Sequence, residues 1–94
     1  MKRISHWIDG RVVAGTSGRE GVAWNPATGE QQAAVDLASA AEVDAAVAVA
    51  KAAFPEWRAT GLSRRAEVMF RLRDLIDANR KEIAALVTAE HGKV

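Results

Sequence analysis

The sequence predicts an α/β chain in which an N-terminal β-hairpin and short strands precede two or three amphipathic helices. Three observations carry this reading. Asp9-Gly10 stands between two alternating segments, Ile4 to Ile8 and Arg11 to Ala14, and Asp-Gly suits a tight hairpin turn whose two central residues both need positive φ. Gln31 to Leu37 alternates, with Ala33, Val35 and Leu37 on one face and Ala34 and Asp36 on the other, the period of a strand. After Ser39 the period changes, and Val43, Ala46, Val47, Ala50 and Phe54 fall on one helical stripe. The chain therefore divides into a strand part over 1–38 and a helical part over 39–94.

Each element has its own start and stop signals. Gly15-Thr16-Ser17-Gly18-Arg19-Glu20-Gly21 reads as a flexible connection. Its glycine spacing fits neither a dinucleotide nor a phosphate-loop motif. Val22 to Asn25 reads as a short strand, and Pro26 to Glu30 as a turn with Gly29 at a positive-φ position. Ser39-Ala40-Ala41-Glu42 is a capping box for the first helix. That helix is expected to end near Pro55, which lacks an amide donor and pushes Phe54 out of the helical region.

Ser63 is the expected cap of a second helix, with Val68, Leu72, Leu75, Ile76 and Asn79 as its inner face. Glu67 with Arg71, and Asp77 with Lys81, form acid-first i,i+4 pairs. Asn79-Arg80-Lys81-Glu82 reads as a further cap. It predicts a break near Asn79 and a third helix carrying Ile83, Leu86, Val87 and Glu90 on one side; a single continuous helix is the alternative. Gly92 is the C-terminal stop.

Composition narrows the chemistry. With 94 residues the chain is one small domain or less, and much of its 49% hydrophobic content is alanine. Such a core is thin and favours packing against something larger. Thirteen basic and twelve acidic side chains leave a net charge of +1, no field to attract nucleic acid or an anionic membrane. There is no cysteine, hence no disulfide, thiolate ligand or thiol nucleophile. The N-terminus has no apolar stretch of a secretory signal, and a cytoplasmic location is the default expectation.

No residue is assigned a catalytic, cofactor-binding or metal-binding role. His6 and His91 lie at opposite ends of the chain, whereas zinc needs three or four converging donors. His6 reads as an ordinary strand residue and His91 as a cation at a helix end. The pairs Glu42 with Asp44 and Asp74 with Asp77 read as solvated helix faces. The arginines from Arg64 to Arg80 are spread around the helices with acids between them, unlike a nucleic-acid surface.

Trp24-Asn25-Pro26-Ala27-Thr28-Gly29-Glu30, followed by Ala52-Ala53-Phe54-Pro55-Glu56-Trp57-Arg58 and Glu90-His91-Gly92-Lys93, resembles the start of an aldehyde dehydrogenase superfamily subunit. Ile4-Ser5-His6-Trp7-Ile8-Asp9-Gly10, Leu37-Ala38-Ser39-Ala40 and Thr88-Ala89-Glu90-His91-Gly92-Lys93-Val94 look like its CoA-acylating methylmalonate-semialdehyde dehydrogenase branch. The resemblance implies that 1–94 is the N-terminal segment of an NAD-binding domain with a Rossmann-like, partial aldehyde dehydrogenase fold. It implies NAD as cofactor and CoA as co-substrate of a full-length oxidoreductase. There a cysteine thiolate attacks the semialdehyde, hydride passes to NAD, and the acyl group leaves on CoA, with decarboxylation, as propionyl-CoA or acetyl-CoA. Some relatives hold a monovalent cation on backbone oxygens, near Ala23 in this numbering. The catalytic cysteine and glutamate and the main cofactor residues would lie beyond Val94, so this chain alone is expected to be inactive. The uncovered helix stripes are expected to drive self-association or binding to a full-length dehydrogenase subunit. A free-standing protein-interaction module, or a truncated gene product, is the alternative.

Overall fold

A computed structural model describes all residues, Met1–Val94. Five strands precede three helices: β1 (Lys2–Ile4), β2 (His6–Ile8), β3 (Arg11–Val13), β4 (Glu20–Trp24), β5 (Gln31–Asp36), α1 (Ala40–Ala59), α2 (Leu62–Ala78) and α3 (Arg80–His91). One sheet has the order β1-β5-β4, and β2-β3 is a separate two-stranded ribbon. The ribbon turns at Asp9 (φ 56°) and Gly10 (φ 74°), the left-handed pair that the Asp-Gly dipeptide predicts.

The expected strand Ile4 to Ile8 is two strands. Ile4 pairs in parallel with Val35, whereas His6 pairs antiparallel with Val13. Ser5 is where the chain leaves one sheet for the other, a change of partner that alternation along the sequence does not encode.

β5 is the central strand, parallel to β1 and antiparallel to β4. Its small side chains Ala33 and Ala34 are the buried apolar residues, with Asp36 the one buried polar residue. Ala33 and Ala34 are adjacent and so point to opposite faces; the centre of β5 is covered on both. The turn into β5 closes through the Gly29 amide donating to Asn25 O at 2.8 Å and the Asn25 amide to Glu30 O at 2.9 Å. Asn25 Oδ1 also accepts from the Ala27 amide at 2.9 Å.

The capping box at α1 is present in both directions: the Glu42 amide donates to Ser39 Oγ and the Ser39 amide to Glu42 Oε1. The helix does not stop at Pro55. It continues to Ala59, where Thr60 turns extended and its amide and hydroxyl both bond Glu56 O. Pro55 removes one donor, toward Lys51 O. Lys51 and Pro55 are both exposed, so water can satisfy that carbonyl and the chain resumes helical geometry for one more turn.

Ser63 is not the cap of α2. Gly61 is extended there (φ −61°, ψ 154°), and its carbonyl accepts from the Arg65 amide at 3.0 Å, which places Ser63 inside the first turn. Asn79 does separate α2 from α3, but it caps backwards. Its Nδ2 donates to Leu75 O at 2.7 Å, and no side-chain cap is made to α3. With that amide committed to α2, the expected box with Glu82 does not form. The charge pairing also shifts by one position: Glu67 pairs with Arg64 at 3.1 Å and Asp77 with Arg80, because i,i+3 neighbours on an exposed helix are as accessible as i,i+4 ones. Gly92 ends α3 at φ 77°, its amide on Thr88 O.

The layout is a flat slab, 47 × 35 × 16 Å, with a radius of gyration of 16.9 Å. A compact chain of this length would have about 12 Å. No helix holds a buried residue, so the expected inner face of α2 stays partly exposed, Val68, Leu72, Leu75 and Ile76 between 38% and 60%. α3 is fixed to the sheet by Gln32 Nε2 donating to Ala89 O at 2.8 Å. No helix is long and apolar enough to cross a membrane.

Candidate functional site

Two carboxylates organise the junction where β5 passes into α1. Asp36, at the end of β5, has a side chain only 3% exposed. It accepts from the Gly15 amide at 2.8 Å and lies 2.5 Å from the Arg3 guanidinium, which also reaches Glu20 at 3.1 Å. The Gly15 amide, then Ser5 and Arg3, hold the Asp36 carboxyl below its ordinary value against the opposing effect of burial. Arg3 is shifted up by the same cluster, first through Glu20 and then Asp36.

Glu42, in the first turn of α1, does more than cap it. Besides the Ser39 amide at 3.0 Å, it accepts from the Thr16 amide at 3.2 Å, and its Oε2 lies 3.4 Å from His6 Nε2. The two side chains are each 16% exposed. The Ser39 amide is the main cause of a lowered Glu42 pKa, with Thr16 and His6 contributing. Glu42 is therefore not on a solvated helix face, as its spacing from Asp44 suggests. Its partners come from β2 and from the loop before β4, which is shorter than the expected 15–21 connection because Glu20 and Gly21 already pair with β5; only tertiary folding brings them there.

That loop is tied down rather than a loose connection. The Ser17 hydroxyl donates to Leu37 O, the Arg19 guanidinium donates to Ala38 O at 2.8 Å, and Arg19 O accepts from the Leu37 amide at 3.1 Å. Gly15 is required by contact: a Cβ there would stand 2.8 Å from Asp36 Cβ. The sequence signal for this cluster was a lone acid closing a strand after the apolar run Ala33-Ala34-Val35, with no local partner.

Chemically the cluster is a set of backbone anchors. Both Glu42 oxygens accept from amides, whereas Asp36 has one oxygen on the Gly15 amide and the other beside the Arg3 guanidinium; a carboxylate of lowered pKa is a weak base at neutral pH. Ser39 Oγ is committed to the Glu42 amide. No three ligand-type side chains converge on a point that could hold a metal ion. His91 lies in the last turn of α3, at the opposite end of the chain from the cluster.

Open apolar grooves flank the ribbon. The largest, of about 490 Å³, runs between β1, β2 and α3 and is lined by Trp7, Val12, Leu86 and Val87 with Lys2, His6 and Glu90 at its edges. Two more lie between β2 and α1 and also include Trp7.

A hairpin, a mixed three-stranded sheet and three amphipathic helices with few buried residues make an open α/β segment rather than a closed domain. The aldehyde dehydrogenase family model matches residues 12–94, and the chain belongs to that family. It is 52% identical over 93 residues to malonate-semialdehyde dehydrogenase 3 of Geobacillus kaustophilus (strain HTA426), covering 99% of this chain and 19% of the relative. It is 49% identical over 92 residues to 5-carboxymethyl-2-hydroxymuconate semialdehyde dehydrogenase of Escherichia coli, again 19% of that protein and 98% of this chain. The fold matches a crystal structure from Sinorhizobium meliloti 1021, described as a methylmalonate-semialdehyde dehydrogenase complexed with NAD. The TM-score is 0.92 at 49% identity, over 97% of this chain and 18% of that one. The chain thus spans about a fifth of the length of the relatives it matches.

Proposed function

We propose that this chain forms the N-terminal part of an NAD-dependent, CoA-acylating semialdehyde dehydrogenase of the cytoplasm, with malonate or methylmalonate semialdehyde as substrate. The observation that carries the reading is the agreement of backbone and sequence with the NAD-complexed relative, TM-score 0.92 and 49% identity. The 94 residues contain no cysteine. The thiol that would attack the aldehyde, the hydride-accepting NAD and the acyl-accepting CoA therefore meet on residues outside them. The role of these residues is architectural: Asp36 and Glu42 lock the strand-to-helix junction from which the three helices extend.

The test replaces the matching segment of the Sinorhizobium relative with this chain and follows NADH formation with each semialdehyde, with and without CoA. The expected result is CoA-dependent NADH formation by the chimera and none by the 94-residue chain alone. Turnover by the isolated chain, or a chimera that folds but stays inactive, would overturn the reading.

A further inference from the structure

The Nε2 atom of His6 is buried and makes no hydrogen bond within the chain, although buried polar atoms are nearly always paired. Its nearest acceptor is Glu42 Oε2 at 3.4 Å, wider than the about 2.7–2.9 Å of a charge-assisted bond. A neutral ring protonated on Nδ1 turns a lone pair toward that carboxylate. A proton taken from water makes Nε2 a donor and the ring a cation beside an anion. The acceptor is already charged, because the Ser39 and Thr16 amides hold the Glu42 pKa down.

The position of the pair gives this proton a structural consequence. β2 and β3 pair only with each other, so no ladder bond ties the ribbon to the three-stranded sheet. Glu42 Oε2 also accepts from the Thr16 amide, and Oε1 from the Ser39 amide at the start of α1. One carboxylate thus joins ribbon, loop and helix. The other charges bordering His6 are Lys2 and Arg3 from β1 and Glu90 from α3. Arg3 is engaged by Glu20 and Asp36, and of the two acids only Glu42 stands within ion-pair distance. Across the ribbon His6 faces the neutral Val13.

We propose that His6 and Glu42 form a proton-operated latch: the imidazolium fastens the β2-β3 ribbon to the first turn of α1 and to the Thr16 loop, and the neutral ring loosens that hold. The latch is closed below the ordinary imidazole range, around 6.5, and opens as pH rises through it. Asp36 and Glu42 stay ionised across this window, since both have lowered pKa values.

The test is amide hydrogen exchange of the chain at about pH 5.5 and pH 8, each rate divided by the intrinsic chemical rate at that pH. Thr16 should be protected at least threefold better at the lower pH. His6→Gln should abolish the difference. Glu42→Gln, which retains an acceptor for the Ser39 amide, should leave Thr16 exchanging fast at both pH values. His91→Gln, at the far end of α3, should keep the full difference. Circular dichroism establishes that each variant is folded, and the parent's own pH dependence decides the matter if one is not. Equal Thr16 protection at the two pH values in the parent would refute the latch. So would a difference that survives His6→Gln or disappears in His91→Gln. A merely structural His6 would change Thr16 protection equally at both pH values. No substrate is involved, so the result stands apart from the catalytic reading.

Discussion

Glu42 and Asp36 set how the protein responds to acid. Their folded pKa values lie below the ordinary carboxylate range, so near and below pH 4 the unfolded chain binds more protons than the folded one. Their contribution to stability is complete above the unfolded values and disappears as pH falls through the folded ones. Denaturant midpoints measured across that acid range should fall with pH. Asp36→Asn and Glu42→Gln should each flatten the curve and lower its neutral plateau. Glu42→Gln should in addition free the Thr16 amide, visible as faster hydrogen exchange at that position. Gly15 is the most constrained residue of the cluster. Its replacement by alanine forces a methyl to within 2.8 Å of Asp36 Cβ. Overpacking of that kind costs about 1–3 kcal/mol, which chemical denaturation of Gly15→Ala will read.

At the scale of elements, stability depends on which residue actually caps each helix. Ser39 makes its bond to the Glu42 amide at 3.1 Å, so Ser39→Ala should cost about 1 kcal/mol. Gly61 makes no side-chain bond at the start of α2, and the space around its Cβ position is empty. Gly61→Asp supplies the missing acceptor at an extended, negative-φ residue and reduces the freedom of the unfolded chain. It should stabilise by about 0.5–1 kcal/mol, whereas Ser63→Ala should change little. Thermal unfolding of these variants separates the sequence-based cap at Ser63 from the observed one at Gly61. Pro55 and Asn79 belong to this scale as well. Each residue's local preference is real, but a helix end falls where the chain can satisfy its carbonyls. Thr60 does that for α1 and Asn79, bonding backwards to Leu75, for α2.

The whole molecule is a frame with one well-covered strand and three largely uncovered helices. Of the 94 residues, Ala33, Ala34 and Asp36 are buried. Hydrogen exchange should therefore rank the amides sharply: slowest in β5, which is flanked by β1 and β4, and far faster in the middle of α1 and α2, where packing adds little protection. Uniform protection in the free chain would show that the helices are covered by something already, most simply by a second copy.

The sequence by itself determined the elements and the family. Period-two and helical alternation, Asp9-Gly10, the Ser39 to Glu42 box, Gly29 and Gly92 act over a few residues, and local geometry alone decides them. The Asn25 to Glu30 turn, with the matching segments around it, was enough to place the chain among aldehyde dehydrogenases. The tertiary structure decided the rest because its partners are far apart along the chain. Ser5 divides a stretch that reads as one strand, since the two halves find different neighbours. Asp36 meets Gly15, and Glu42 meets Thr16 and His6, across 21, 26 and 36 positions, and no local rule specifies such pairings. That the helix stripes face open space is likewise a property of the assembled layer: hydrophobic spacing shows that a face is to be buried, and only the packed structure shows that nothing within these residues buries it.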